Sequence, residues 1–175
     1  HDHVSPTIFV AFPVVEPARG SGLDGAEIVI WTTTPWTIPG NRAIATAADE
    51  TYVRLRVTEV GEGAKLAPGR EIVVAEALVV HLAALRTLAE AEALVEQVCQ
   101  GCRIVRHEIV GRLKGEQVVG TRCAHPLRGK GYDYDVPVFA ADFVTMDQGT
   151  GFVHIAPGHG ADDFLLGRAN GLEIP

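Results

Sequence analysis

The sequence predicts a mainly β domain with peripheral helix, of the α+β class. Three observations carry this: short apolar or alternating runs bounded by glycine and proline recur along most of the chain, one stretch alone changes to helical period, and 175 residues with 47% hydrophobic content suffice for one core. Taken in order, Ser5 to Pro13 reads as a leading strand between prolines, with residues 1–13 as strand and linker, and Glu16 to Gly25 as a glycine-rich turn region. Ile28 to Trp31 is a continuous apolar run, the pattern of a buried strand, and it passes into a threonine-rich loop, 28–41 in all. There Pro35, Pro39 and Gly40 argue against regular structure. From Tyr52 to Val60, Val53, Leu55 and Val57 alternate with Arg54, Arg56 and Thr58, as in a half-buried antiparallel strand. Gly61 to Gly69 is the turn that follows, and Ile72 to Val74 restarts a strand.

Over 75–100 the spacing of Leu78, Leu82, Leu85 and Leu88, then Ala91, Leu94, Val95 and Val98, predicts a helical excursion. From Arg103 onward glycines and Pro126 divide the chain into short β-like pieces. Phe152, Val153 and Ile155 then suit a buried strand, and a bend leads to a helix reaching about Ala169, so 149–169 forms a bend and helix rich in histidine and aspartate. No internal repeat or low-complexity linker divides 1–175, and many short strands with one helical excursion argue for a barrel or a sandwich.

Composition excludes several classes. Fifteen Lys and Arg against 22 Asp and Glu give a net charge of −7, which rules out a surface that grips nucleic acid by phosphate neutralisation alone. Three cysteines are too few, and odd in number, for a disulfide-stapled secreted scaffold, so a cytoplasmic home is expected. No run reaches the roughly 18 apolar residues of a membrane span, and no signal peptide is seen. Opening at His1 and stopping at Pro175, the chain reads as a fragment of a longer polypeptide.

Two clusters are dense in chemistry-bearing side chains. Thr32, Thr33 and Thr34 either finish a strand and open a turn, or form a rim of hydroxyls, each donor and acceptor, able to orient a water or hold an ester carbonyl. His154, His159, Asp162 and Asp163 crowd around the second bend. Structurally, an aspartate there caps a helix and His154 is a hydrogen-bonded core residue. Chemically, His154, His159 and Asp162 are candidate ligands of a hydrolytic metal ion, although their spacing matches no metal motif; or an aspartate receives a substrate ammonium while His154 contacts the substrate or its attacking water. Cys99 and Cys102, with Cys123 and His125, formally offer four zinc ligands. The Cys-Ala-His half is too cramped for a knuckle, and ordinary thiols are the simpler reading. Neither a nucleophile elbow nor a phosphate-binding glycine fingerprint occurs.

The strings Trp31-Thr32-Thr33-Thr34-Pro35-Trp36-Thr37-Ile38-Pro39-Gly40-Asn41 and Gly149-Thr150-Gly151-Phe152-Val153-His154-Ile155-Ala156-Pro157-Gly158-His159-Gly160-Ala161-Asp162-Asp163-Phe164 together resemble the editing domain of isoleucyl-tRNA synthetases, the connective-polypeptide insertion of that class I enzyme. Ser5 to Pro13 and Leu113 to Pro126 resemble it too, so the likeness covers nearly the whole chain. In the valyl and leucyl branches an arginine is expected where Thr34 stands, and a different residue at Trp36, which favours the isoleucyl branch.

The resemblance implies a closed β-barrel core of the valyl, isoleucyl and leucyl editing-domain type. It further implies hydrolysis of mischarged valyl-tRNA(Ile), and of valyl-adenylate, without a cofactor or metal. Thr32, Thr33, Thr34 and Asp163 then carry the reaction: the threonines contact ester, water and terminal ribose, and Asp163 binds the substrate amino group. His154 lines the valine pocket and rejects isoleucine, with Trp36, Thr37 and Asn41 as further pocket or loop positions; His159 and Asp162 bend the loop and cap the helix behind them. The implied partners are the 3′ end of tRNA(Ile) carrying valine and the rest of the synthetase, with no membrane and a monomeric fragment. The chain departs from shorter members between Glu76 and Gly101, where the helical segment looks extended. A metal-dependent hydrolase and a non-catalytic tRNA-positioning module are the alternatives. The two motif loops are expected to face each other across one pocket.

Overall fold

The computed structural model describes residues 8–32, 35–60, 68–78, 104–146 and 149–156. These residues form nine strands: β1 (Ile8–Glu16), β2 (Glu27–Thr32), β3 (Ala43–Thr46), β4 (Thr51–Val60), β5 (Glu71–Ala75), β6 (Ile104–Lys114), β7 (Arg122–Ala124), β8 (Asp135–Ala140) and β9 (Phe152–Ile155). A 3-10 helix, Pro35–Gly40, follows β2, and a one-turn helix, α1 (Gly115–Val118), follows β6. The strands hydrogen-bond in the order β6-β4-β5-β2-β1-β7-β8-β3-β9. The β2–β5 and β3–β8 pairs are parallel, and the others antiparallel.

Sequence pattern explains most of this. In β4, Val53, Leu55 and Val57 are fully buried while Arg56 and Thr58 are exposed, as the alternation requires. The β2 run Ile28-Val29-Ile30 is buried on both faces, which suits its place in mid-sheet with a parallel neighbour. One side packs into the main core with Phe12, Tyr52, Val73, Val138 and Phe152, the other against Val53, Leu55 and Val74. Burying these side chains supplies the main favourable term of the fold. Pro13 lies where β1 hands over from β2 to β7, a position at which a missing N–H is tolerated.

Two expectations are corrected. The stretch after Arg103 is not short pieces throughout: β6 runs eleven residues, and only beyond it are β7 and β8 short. Gly111 pairs with Arg54 and Ile109 with Leu55, so Val110 between them bulges outward, 39% exposed, and the glycine marks a bulge rather than a turn. The closed barrel is also not found. A barrel needs a continuous ladder with a fixed stagger, whereas the described strands form a linear order with β6 and β9 at its ends. The sheet instead curls until β9 packs against β2, the fourth strand from the opposite edge. No ladder joins β9 to β2; beside their contact one backbone bond, Ala75 N to Thr150 O at 2.8 Å, ties the end of β5 to the turn before β9. Residues 76–78 open helically where the excursion was expected; 79–100 lie outside the described residues, as do 1–7 and the bend and helix beyond Ala156.

Gly151 is the tightest point of this closure. Its φ is +86°, a Cβ there would lie 2.5 Å from Ala75 Cβ, and its carbonyl accepts the Tyr52 hydroxyl at 2.5 Å. Gly151→Ala is therefore expected to destabilise the domain by about 1–3 kcal/mol, read as a lower urea midpoint with an unchanged slope. A midpoint equal to wild type would show that the turn relaxes freely.

Candidate active site

β2 delivers Thr32, 6% exposed, at its end. The loop after it is more regular than expected: Pro35–Gly40 is a 3-10 helix, since Pro35 at its first position has a φ suited to helix and Asn41 N closes on Ile38 O at 2.9 Å. The helix sends Trp36 outward, 64% exposed, and buries Thr37 and Ile38. Asn41 follows, fully buried, and the chain enters β3 two residues later. This fixes what meets the helix. β9 runs antiparallel to β3 with His154 opposite Ile44, so His154 comes beside the end of the helix although 113 residues separate it from Asn41.

The His154 ring is gripped at both nitrogens. Asn41 Nδ2 lies 3.0 Å from the Ala43 carbonyl, which it must donate to, and this orients the amide. The same nitrogen donates to His154 Nδ1 at 3.1 Å. With Nδ1 accepting, the neutral ring carries its proton on Nε2 and donates to Thr37 Oγ1 at 2.7 Å. Nearby, Gly149 stands against Trp31, where a Cβ would lie 3.2 Å from Cε3, so the turn before β9 abuts the threonine end of β2. Thr150 Oγ1 is occupied by the backbone of Phe152.

The structure thus brings together Thr37, Asn41 and His154, puts Thr32 at the adjoining strand end, and leaves Trp36 facing outward. Thr33, Thr34, His159, Asp162 and Asp163 lie outside the described residues, as do Cys99 and Cys102, so the facing of the two loops is seen only through Thr37, Asn41 and His154. Cys123 is fully buried, and burial, with Asp135 adding to it, pushes its thiol up to about 12. His125 has both nitrogens engaged, accepting from Leu127 N at 3.0 Å and donating to Ile38 O at 2.9 Å. Among the described residues no group of three metal-ligating side chains gathers, and no helix is long and apolar enough to cross a membrane.

Sequence reasoning missed three residues that hold this region. Tyr134 donates to the Asn41 carbonyl at 2.6 Å; His125 was read only as a formal metal ligand; and the Tyr52 hydroxyl, raised by burial above its usual range, ties Gly151 O to Ala47 N. The first two had only a signal of composition, His125, Tyr132 and Tyr134 within ten residues. Tyr52 had none, since the alternation places it with Arg54.

Comparison with known proteins decides the family. Residues 72–175 match the family model described as leucyl-tRNA synthetase, editing domain. The chain belongs to this family. It is 48% identical over 176 residues to the isoleucine--tRNA ligase of Gluconobacter oxydans, covering 100% of this chain but 17% of that protein. The domain thus spans about a sixth of the length of the relatives it matches. Similar folds are the crystal structure of GlLeuRS-CP1, TM-score 0.62 at 15% identity over 95% of this chain and 63% of that one, and the P. knowlesi cytosolic leucyl-tRNA synthetase editing domain, 0.58 at 14% over 97% and 66%. Editing domains are the hydrolytic proofreading modules of their synthetases, and the isoleucyl reading of the two motif strings agrees with the relatives.

His125 is expected to make the stability of the editing domain depend on pH. Burial lowers its pKa from 6.5, the Ile38 bond opposes this, and Arg42 adds to the lowering. The unfolded chain therefore binds the proton first as pH falls, so stability contributed above pH 6.5 is lost as pH drops toward the lower folded value. Unfolding free energy is expected to decline between pH 7 and about pH 5, with His125→Gln flattening that decline. An equal slope in both proteins would contradict it.

Proposed function

We propose that the domain hydrolyses the ester of mischarged valyl-tRNA(Ile), that it spares isoleucyl-tRNA(Ile) by excluding the larger side chain, and that it works within a cytoplasmic isoleucine-tRNA ligase. The observation that carries this reading is the clamp of His154 between Thr37 and Asn41, which joins the threonine loop to the histidine strand across more than 110 residues of sequence. Such a clamp gives a pocket wall one orientation, as a size filter needs. One methylene in a binding pocket is worth about 1–3 kcal/mol, a limit for which the isoleucyl enzyme's discrimination against valine is the standard illustration. A second site that rejects isoleucine by clash and hydrolyses what fits multiplies that discrimination.

An aminoacyl ester is already an activated acyl group, so the reaction asks little of the protein. Thr32, Thr33 and Thr34 supply hydroxyls for the developing oxyanion, the water and the terminal ribose, and Asp163 anchors the α-ammonium. Trp36 offers an exposed ring on the 3-10 helix that follows these threonines. Valyl-adenylate presents the same activated acyl group and α-ammonium, on the 5′-phosphate of adenosine, so the contacts to the amino acid serve it as well. His159 and Asp162 support the bend, no cofactor is required, and the acidic domain leaves most phosphate contacts to the rest of a synthetase that binds tRNA.

Single-turnover deacylation of valyl- and isoleucyl-tRNA(Ile) by the synthetase carrying this domain tests the reading. Asp163→Ala is expected to slow valyl ester hydrolysis about 10- to 100-fold, since a charged hydrogen bond is worth about 1.5–3 kcal/mol, while aminoacylation persists. His154→Ala is expected to admit isoleucyl esters before the valyl rate falls. Valyl-tRNA(Ile) left intact by the wild-type enzyme would overturn the reading.

A further inference from the structure

The connection between β7 and β8, residues 125–134, takes no part in the proposed chemistry, yet it reaches the 3-10 helix at two points. His125 is 1% exposed. Its Nδ1 accepts from Leu127 N, so the proton sits on Nε2 and is donated to Ile38 O at 2.9 Å. The ring stacks on Tyr132, centroids 4.9 Å apart and planes 15° apart, and meets Tyr134 edge-on at 5.4 Å. Tyr134 in turn donates to Asn41 O at 2.6 Å and lies 4.4 Å beneath the Arg42 guanidinium. The two carbonyls it holds, with His125, belong to residues 38 and 41, one turn of the segment that presents Thr37 and Asn41 to His154. A six-residue 3-10 helix has poor internal hydrogen-bond geometry and does not fix its own position. These outside donors do.

We propose that His125, with Tyr134 as a second hold, is a positioning residue of the editing site: by anchoring the Ile38 and Asn41 carbonyls it sets where Thr37 and Asn41 grip His154, and so how sharply valine is told from isoleucine. The proposal rests on the function proposed above and adds a specificity device outside the pocket.

The test uses the full-length synthetase carrying this domain, with valyl- and isoleucyl-tRNA(Ile) as substrates, and measures kcat, KM, the aminoacylation rate and Tm. His125→Phe keeps an aromatic ring against Tyr132 but loses the Ile38 bond. It is expected to lower kcat for the valyl ester roughly tenfold, to leave KM and aminoacylation nearly unchanged, and to reduce the valyl-to-isoleucyl rate ratio. His125→Gln, which offers an amide donor to Ile38, is expected to recover part of both rate and ratio. Tyr134→Phe, which removes one hydroxyl and is the gentler change to the fold, is expected to lower the ratio in the same direction by less. His125→Phe with wild-type rate and ratio overturns the proposal. So does a loss of rate that tracks Tm with the ratio unchanged, which marks a merely structural role. Failure of the functional reading is recognised separately, by wild-type enzyme that leaves valyl-tRNA(Ile) intact, and the proposal falls with it.

Discussion

The candidate site depends on the hydrogen bonding of one buried residue, Asn41. Its backbone N–H closes the 3-10 helix on Ile38, its carbonyl accepts from Tyr134 and from Arg42 Nη1, and its side-chain nitrogen serves both Ala43 and His154. Among the described residues its Oδ1 has no partner. Leaving such an acceptor unmet costs about 1–3 kcal/mol, and the alternative is worse. Flipping the amide would set Oδ1 against the Ala43 carbonyl and lose both donated bonds. Local stability is thus traded for one orientation of His154, a pattern more typical of working sites than of cores.

That arrangement is available only because of how the sheet is ordered. β3 begins two residues after Asn41 and is flanked by β8 on one side and β9 on the other, so a helix that ends at β3 necessarily ends beside His154. The open curl of the sheet serves the same end. Had β9 been locked into a ladder with β2, the glycine turn before it would have had to follow strand geometry. Instead Gly149 and Gly151, both at positive φ, fold the chain against Trp31, Ala75 and Tyr52 and bring β9 across the core.

Much of this was legible in the sequence, and the limits have physical reasons. Strands with strict alternation or a continuous apolar run, such as Tyr52 to Val60 and Ile28 to Trp31, could be placed because burial follows residue period directly. Thr37, Asn41 and His154 were legible as candidate site residues through the two motif strings, and the structure shows that they touch. The hydrogen bonds among them were not legible, because they depend on a strand order that no local pattern encodes. Gly111 misled for a related reason: a glycine reads the same in sequence at a bulge as at a turn, and only the partner strand tells them apart. The prolines of the threonine loop misled in the opposite sense. Pro35 opens a helix rather than preventing one. His125 was overlooked because its neighbour Cys123 invited a metal reading, whereas the ring serves through two ordinary hydrogen bonds.

For a sieve that must reject one extra methylene, rigidity of the wall matters more than its chemistry. A core tolerates an added methylene by shifting side chains and backbone at a cost of about 1–3 kcal/mol, no more than the discrimination that one methylene gives in simple binding. A wall free to shift would therefore give back what exclusion gains. Packing alone cannot stiffen a side chain at a pocket edge, since one flank must remain open to substrate. Hydrogen bonds at both ring nitrogens of His154 can, provided their partners are themselves fixed. Thr37 lies on, and Asn41 directly after, a helix too short to hold itself, so in the proposed scheme the stiffness of the wall would be borrowed from His125, Tyr134 and the β7–β8 connection behind it. On this argument, the selectivity proposed for the editing site would be set as much by the residues that brace the 3-10 helix as by those that touch the amino acid.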